Sequence, residues 1–182
     1  MGDPPYDGPA PLPSERMFVL GIDPGLSRCG YGCIERTPAG LRAVAVGVLV
    51  TPSADPVPER LAVLDRDLRA LIADLRPDAV AVERLFFQVN ARTAMAVAQA
   101  SGLVLAVAAG AGCQVSQYTP NEVKQAVAGY GSAPKEQVQR MVQTLLGLAE
   151  RPRPPDAADA LALALCHLAG APLAARVAEA SR

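Results

Sequence analysis

Three apolar, β-rich runs follow one another near the start of the chain: Phe18 to Asp23, Gly30 to Arg36 and Leu41 to Val50. Only short Gly/Pro/Ser turns separate them. Parallel neighbours need a crossover of about a dozen residues or more, so these connections predict an antiparallel meander. From Pro58 the period changes. Leu61, Leu64, Leu68, Leu71, Ile72 and Leu75 recur at helical spacing until Pro77 ends the pattern. Asp78 to Glu83 reads as a short buried strand, Ala91 to Ala109 as an Ala-rich helix, and Cys113 to Tyr118 as a fifth strand. Thr119-Pro120-Asn121-Glu122 has the spacing of a capping box with proline just inside the helix, which runs to Ala128. Two more helices are expected, Lys135 to Leu148 and Asp156 to Ala169. Hairpin strands followed by strands alternating with helices predict an α/β domain whose five-stranded mixed sheet is flanked by helices.

A chain of 182 residues is most simply one domain with a real core. The lead, MGDPPYDGPAPLPSER, is too proline-rich to bury much, so residues 1–16 are read as disordered, with Met17 a possible alternative start. No uninterrupted apolar stretch of about 18 residues suggests a membrane span, and the first residues lack the order of a secretory signal. Cys29, Cys33, Cys113 and Cys166 form no CxxC pair. Cys29 and Cys33 share one expected strand, where roughly 13 Å of separation forbids a local disulfide. A reduced, cytoplasmic protein is the expectation.

The net charge of −1 conceals an uneven distribution. Residues 1–83 carry 8 basic and 12 acidic side chains; residues 84–153 carry 7 and 3. Such asymmetry is compatible with one basic face, and equally with an ordinary solvated surface. Both lysines of the chain, Lys124 and Lys135, fall in the positive segment.

Four acids sit where acids are locally unwelcome. Asp23 closes the first apolar strand and Glu83 closes the run AVAVE. Asp156 and Asp159 open an otherwise nearly uncharged helix, DAADALALALCHLAG, at a spacing that shares one face. Each has a plain structural reading: Asp-Pro-Gly is a good turn, a strand ending on Glu can simply emerge into water, and Asp156 suits an N-cap. Together they mark strand end, strand end and helix start, places that converge at one edge of an α/β sheet. Gly25, Ser27 and Gly30 further suggest a backbone kept free for a close approach.

Carboxylates brought together repel and take up protons unless a cation neutralises them. A purely oxygen donor set selects Mg²⁺, with Mn²⁺ as a substitute, over zinc. Two such ions about 4 Å apart suit phosphodiester hydrolysis. His167, the single histidine, lies some 16 Å along the helix from Asp156 and is read as structural.

Four blocks in order, GIDPGLSRCGYG, PDAVAVERLFFQVNARTAMAVAQASG, TPNEVKQAVAGYGSAPKEQVQRMV and PPDAADALALALCH, resemble the RuvC family of crossover-junction endodeoxyribonucleases. The resemblance covers residues 17–170 and leaves a tail at 171–182. It implies a ribonuclease-H-like fold and a homodimer that resolves Holliday junctions during recombination and DNA repair. Paired nicks in strands of like polarity would leave 5′-phosphate and 3′-hydroxyl ends. The family's four acidic positions match Asp23, Glu83, Asp156 and Asp159, holding two Mg²⁺ ions per site with Asp23 between them. Phe86 matches an aromatic position that stacks on bases at the branch point, while Phe87 is read as packing. Lys124 and Lys135 match basic positions near the scissile phosphate. Arg84 and Arg92 are candidate phosphate contacts, although solvated surface arginine is the plainer reading of each. Four-way junction DNA and the branch-migration proteins RuvA and RuvB are the implied partners, with no membrane.

Three rival readings fit these residues less well. A phosphotransferase of the sugar-kinase, actin and Hsp70 type needs a second Asp-Gly phosphate loop, which is missing. A catalytically silent junction-binding module sits poorly with all four acids being present. An RNA-processing nuclease fits the DAADA and RLFF segments less well.

Overall fold

The computed structural model describes the backbone of residues 16–84 and 91–180 and the side chains of 16–84 and 94–170. Its elements run β1 (Met17–Asp23), β2 (Arg28–Thr37), β3 (Gly40–Val50), α1 (Val57–Leu75), β4 (Ala79–Glu83), α2 (Ala91–Gly110), β5 (Gln114–Tyr118), α3 (Pro120–Ala128), α4 (Lys135–Leu145) and α5 (Pro155–Ala180). The five strands form one sheet in the order β3-β2-β1-β4-β5. β1, β2 and β3 pair antiparallel, as their short connections require, and β4 and β5 join parallel to β1.

Strand alternation sorts the side chains onto two faces. Leu20, Ile22, Val80 and Val82 point to one side, where they meet Leu64, Leu68 and Ile72 of α1 and Ala100, Val104 and Val107 of α2. Val19, Ala79 and Ala81 point to the other, against Val123 and Val127 of α3, Val138 and Val142 of α4, and Leu161 to Cys166 of α5. Asp23 and Glu83 continue this second alternation, so both belong to the face that α5 covers.

Glycine makes that cover close. A Cβ at Gly21 would stand 1.8 Å from the carbonyl oxygen of Ala160, and one at Gly30 would stand 2.2 Å from that of Asp156. A Cβ at Gly32 would press into the Leu161 side chain at 2.7 Å. The three glycines of β1 and β2 thus cut a channel in which the helix backbone rests on the sheet. The close approach expected from the glycine-rich motif is made at Gly30 by the protein's own helix.

Two helix ends differ from expectation. α4 stops at Leu145, because Gly147 turns the chain with φ of 59°. α5 does not end at Ala169 but continues through Gly170 and Pro172 to Ala180, so the tail drawn at 171–182 is largely a continuation of the helix. Residues 173–180 are mostly Ala, Leu, Arg and Glu, which favour helix. The other punctuation holds. Thr119 and Glu122 exchange both capping-box hydrogen bonds, and α1 ends at Leu75 with Arg76 in the left-handed region before Pro77. All four cysteines are free. No helix among the described residues is long and apolar enough to cross a membrane.

Candidate active site at the sheet edge

Ile22 pairs with Val82 in the parallel β1–β4 register, which sets Asp23 and Glu83 side by side at the C-terminal ends of adjacent strands. Across the antiparallel ladder Asp23 pairs with Gly30, and the backbone of Asp156 rests on that same glycine. Asp159 follows one turn along α5. Asp23, Glu83 and Asp159 line one pocket of about 220 Å³ together with Lys124 of α3 and Lys135 of α4. Its apolar wall is Val123, Val138, Ala162 and Leu163.

That wall decides the protonation state. Burial, reinforced by the fields of Glu83, Asp159 and Asp156, pushes the Asp23 carboxyl up to about 7. Glu83 is also raised, first by burial and then by Asp159, and the two carboxyls hydrogen-bond one another.

The two acids of α5 are balanced differently. Lys135 Nζ donates to Asp159 Oδ2 at 2.5 Å, and Arg28 Nε donates to Asp156 Oδ2 at 2.8 Å. Burial disfavours the Lys135 ammonium, but the bond to Asp159 and the surrounding carboxylates outweigh it and hold its pKa above the ordinary value. Two of the acids turn to cations, and no three His, Cys, Asp or Glu side chains among the described residues stand as a ready metal-ligand group.

Of the predicted residues, Asp23, Glu83, Asp159, Lys124 and Lys135 share the pocket, and Asp156 adjoins it. Asp156 is not an N-cap: it lies within the first turn of α5 and its carboxylate faces Arg28. Arg84 is exposed just beyond Glu83, with its backbone N–H bonded to the Tyr118 carbonyl at 2.8 Å. Phe86, Phe87 and the Arg92 side chain lie outside the described residues. His167 is buried and pairs through Nδ1 with the Tyr118 hydroxyl at 2.9 Å, a structural role.

Arg28 was not singled out from sequence, although it stands inside the GIDPGLSRCGYG motif. Also missed was the clamp on the loop between Asp23 and Arg28. Thr51 Oγ1 donates to the Leu26 carbonyl at 2.5 Å, and Arg60 donates to Thr51 Oγ1 and to Ser27 Oγ. A polar pair spaced nine residues apart after a strand offered little signal.

The family model for "Crossover junction endodeoxyribonuclease RuvC" matches residues 19–167. A protein of that description from Moorella thermoacetica is 54% identical over 156 residues, covering 86% of this chain and 93% of its own. The Thermus thermophilus RuvC structure superposes with a TM-score of 0.80 at 42% identity, covering 87% of this chain and 97% of that one. The same Thermus protein in complex with Holliday junction substrate gives 0.81 at 41% identity, covering 87% and 96%. Sequence and fold match over most of the chain, and the chain belongs to the RuvC family of crossover junction endodeoxyribonucleases.

Proposed function

We propose that this protein resolves Holliday junctions by paired endonucleolytic nicks, acting in recombination and DNA repair. The observation that carries the reading is the pocket of Asp23, Glu83 and Asp159 beside Lys124 and Lys135, with Asp156 adjoining, on a RuvC-family fold. The donor set fits a divalent metal. All four acids offer hard oxygen, and burial first, then the fields of Glu83, Asp159 and Asp156, raise the Asp23 carboxyl, a strain that a bound cation would relieve. Mg²⁺, with Mn²⁺ able to replace it and two ions per site, is the assignment this chemistry favours. When bound, such ions supply Lewis acidity, which activates water and stabilises charge on the leaving oxygen.

The chain's own groups do the rest. Asp23 and Glu83 present carboxylates from rigid strand ends, and Asp156 and Asp159 from one helical turn seated on glycine. Lys124 and Lys135 neutralise the phosphodiester next to the carboxylates, and Arg84 and Arg92 extend the contact along the backbone. Phe86 stacks on a base at the branch point, which opens the junction without demanding sequence. Hydrolysis breaks the bond from phosphorus to the 3′ oxygen and forms one from phosphorus to a water oxygen. The products are a 5′-phosphate and a 3′-hydroxyl. A two-fold homodimer would offer two such sites to a two-fold substrate and nick strands of like polarity. RuvA and RuvB, which migrate the branch, are the partners this activity calls for.

The test is incubation with a synthetic four-way junction and a plain duplex, with and without Mg²⁺. Paired nicks in the junction alone, dependent on the metal, are expected. Junction binding without nicking would reduce the protein to a binding module, and equal cutting of duplex would remove structure specificity.

A further inference from the structure

We propose that Arg28 is a reserve counter-ion: it pairs with Asp156 when no metal is bound and passes to a backbone phosphate of the junction when a divalent ion takes that carboxylate. The inference rests on the nuclease reading above and adds a DNA-contacting residue to it.

The geometry separates a fixed backbone from a movable side chain. Arg28 is the first residue of β2, and two residues on, Gly30 lies beneath the Asp156 backbone. The loop before it is tied by Thr51 to the Leu26 carbonyl and by Arg60 to Ser27. The backbone carrying Arg28 and the helix carrying Asp156 therefore stay in place. Their side chains do not share that restraint. The guanidinium touches Asp156 through Nε, with side-chain exposures of 49% and 32% for the two partners. A pair this exposed is worth no more than about fivefold in an equilibrium constant, so exchange for another anion costs little. The planar guanidinium suits a phosphate as well as a carboxylate.

Charge gives the exchange a direction. Arg28 from β2 and Lys135 from α4 each neutralise one acid of the same α5 turn. Once a metal meets the charge of those acids, both cations are surplus beside them. A phosphodiester entering there is the nearest anion of the required chemistry. Lys135 has this role in the functional reading already; Arg28 holds the matching position on the other acid.

The experiment compares wild type with Arg28→Gln and Arg28→Lys. In the first arm Mn²⁺ alone is titrated into DNA-free protein and followed by electron paramagnetic resonance. Arg28→Gln should lower the half-saturating Mn²⁺ about two- to fivefold by removing a competitor for Asp156, and Arg28→Lys should restore most of the wild-type value. In the second arm, binding to a four-way junction with phosphorothioate linkages at its branch is measured against salt. With Mn²⁺, Arg28→Gln should make the slope of log affinity on log salt shallower by about one. In chelator, where Asp156 still holds Arg28 in the wild type, the two slopes should coincide. Unchanged Mn²⁺ binding, or the same change in slope with and without metal, would overturn the exchange. Should wild-type protein fail to nick an ordinary junction with Mg²⁺, the nuclease reading itself falls; should it nick normally while both Arg28 arms are flat, only this inference falls.

Discussion

The Cα of Gly21 lies so close beneath α5 that a single added carbon would come within 1.8 Å of the Ala160 carbonyl oxygen. Ala160 directly follows Asp159. The contact that seats the helix on the sheet therefore also sets the height of one acid above Asp23 and Glu83.

Gly21→Ala should be destabilising, because the obstructing atom is helix backbone and cannot rotate away. Overpacking of this kind costs about 1–3 kcal/mol or more, read as a lower midpoint in urea unfolding. Gly102→Ala is the contrast. It lies within α2 with open space around it, so the added methyl should stabilise the helix by about 0.5–1 kcal/mol. Equal effects at both positions would contradict the seating argument.

The Asp23 proton makes stability depend on pH and metal together. Its pKa rises on folding from 3.8 to about 7, so the native state holds the proton more tightly than the unfolded chain. That contribution is present at acid pH and is lost as pH rises through about 7. The metal-free protein should thus melt at a lower temperature near pH 8 than near pH 6, with about 2–4 °C for each kcal/mol involved. Mg²⁺ added at the higher pH should recover the loss, and Asp23→Asn should flatten the metal-free dependence. A profile identical in wild type and variant would place the titration elsewhere.

Asp23→Asn should keep junction binding, since the basic groups survive, and lose cleavage by about two orders of magnitude or more. Full nicking by that variant would end the metal-site reading.

Phe86→Ala should weaken junction resolution more than Phe87→Ala does, by the 1–3 kcal/mol or so that a stacked base contributes. Equal losses that track unfolding would instead assign both rings to packing.

Tyr118→Phe removes the hydroxyl partner of His167 Nδ1. Burial already holds that imidazole below its ordinary value of 6.5, and without a partner its polar nitrogen is stranded. Loss of about 1–3 kcal/mol in urea unfolding is expected, with metal-dependent nicking retained at temperatures where the variant is folded. Loss of nicking in the folded variant would give the pair a role in the site.

Much of this molecule is legible in its sequence. Hairpin-length connections dictate antiparallel β1 to β3, and the leucine period after Pro58 dictates α1, because those signals act over a few neighbouring residues. Asp23 and Glu83 stood out because an acid ending an apolar run has few cheap explanations. Asp156 and Asp159 stood out for the same reason at the head of an Ala/Leu helix. Glu35 did not, yet it is buried in β2 and held by Arg16 and Arg42. Its neighbours in sequence resemble an ordinary solvated strand end, and only the packed sheet shows the charge to be enclosed.

Local pattern thus determined which elements form and which acids stand at their ends, since turns, periodicity and capping are short-range physics. Tertiary structure decided what those positions touch. Gly21, Gly30 and Gly32 serve a helix arriving from more than a hundred residues away, and Arg28 meets Asp156 across 128 residues of chain. Register and helix docking bring such groups together, and they follow from how whole faces fill space and balance charge, which no short window of sequence contains.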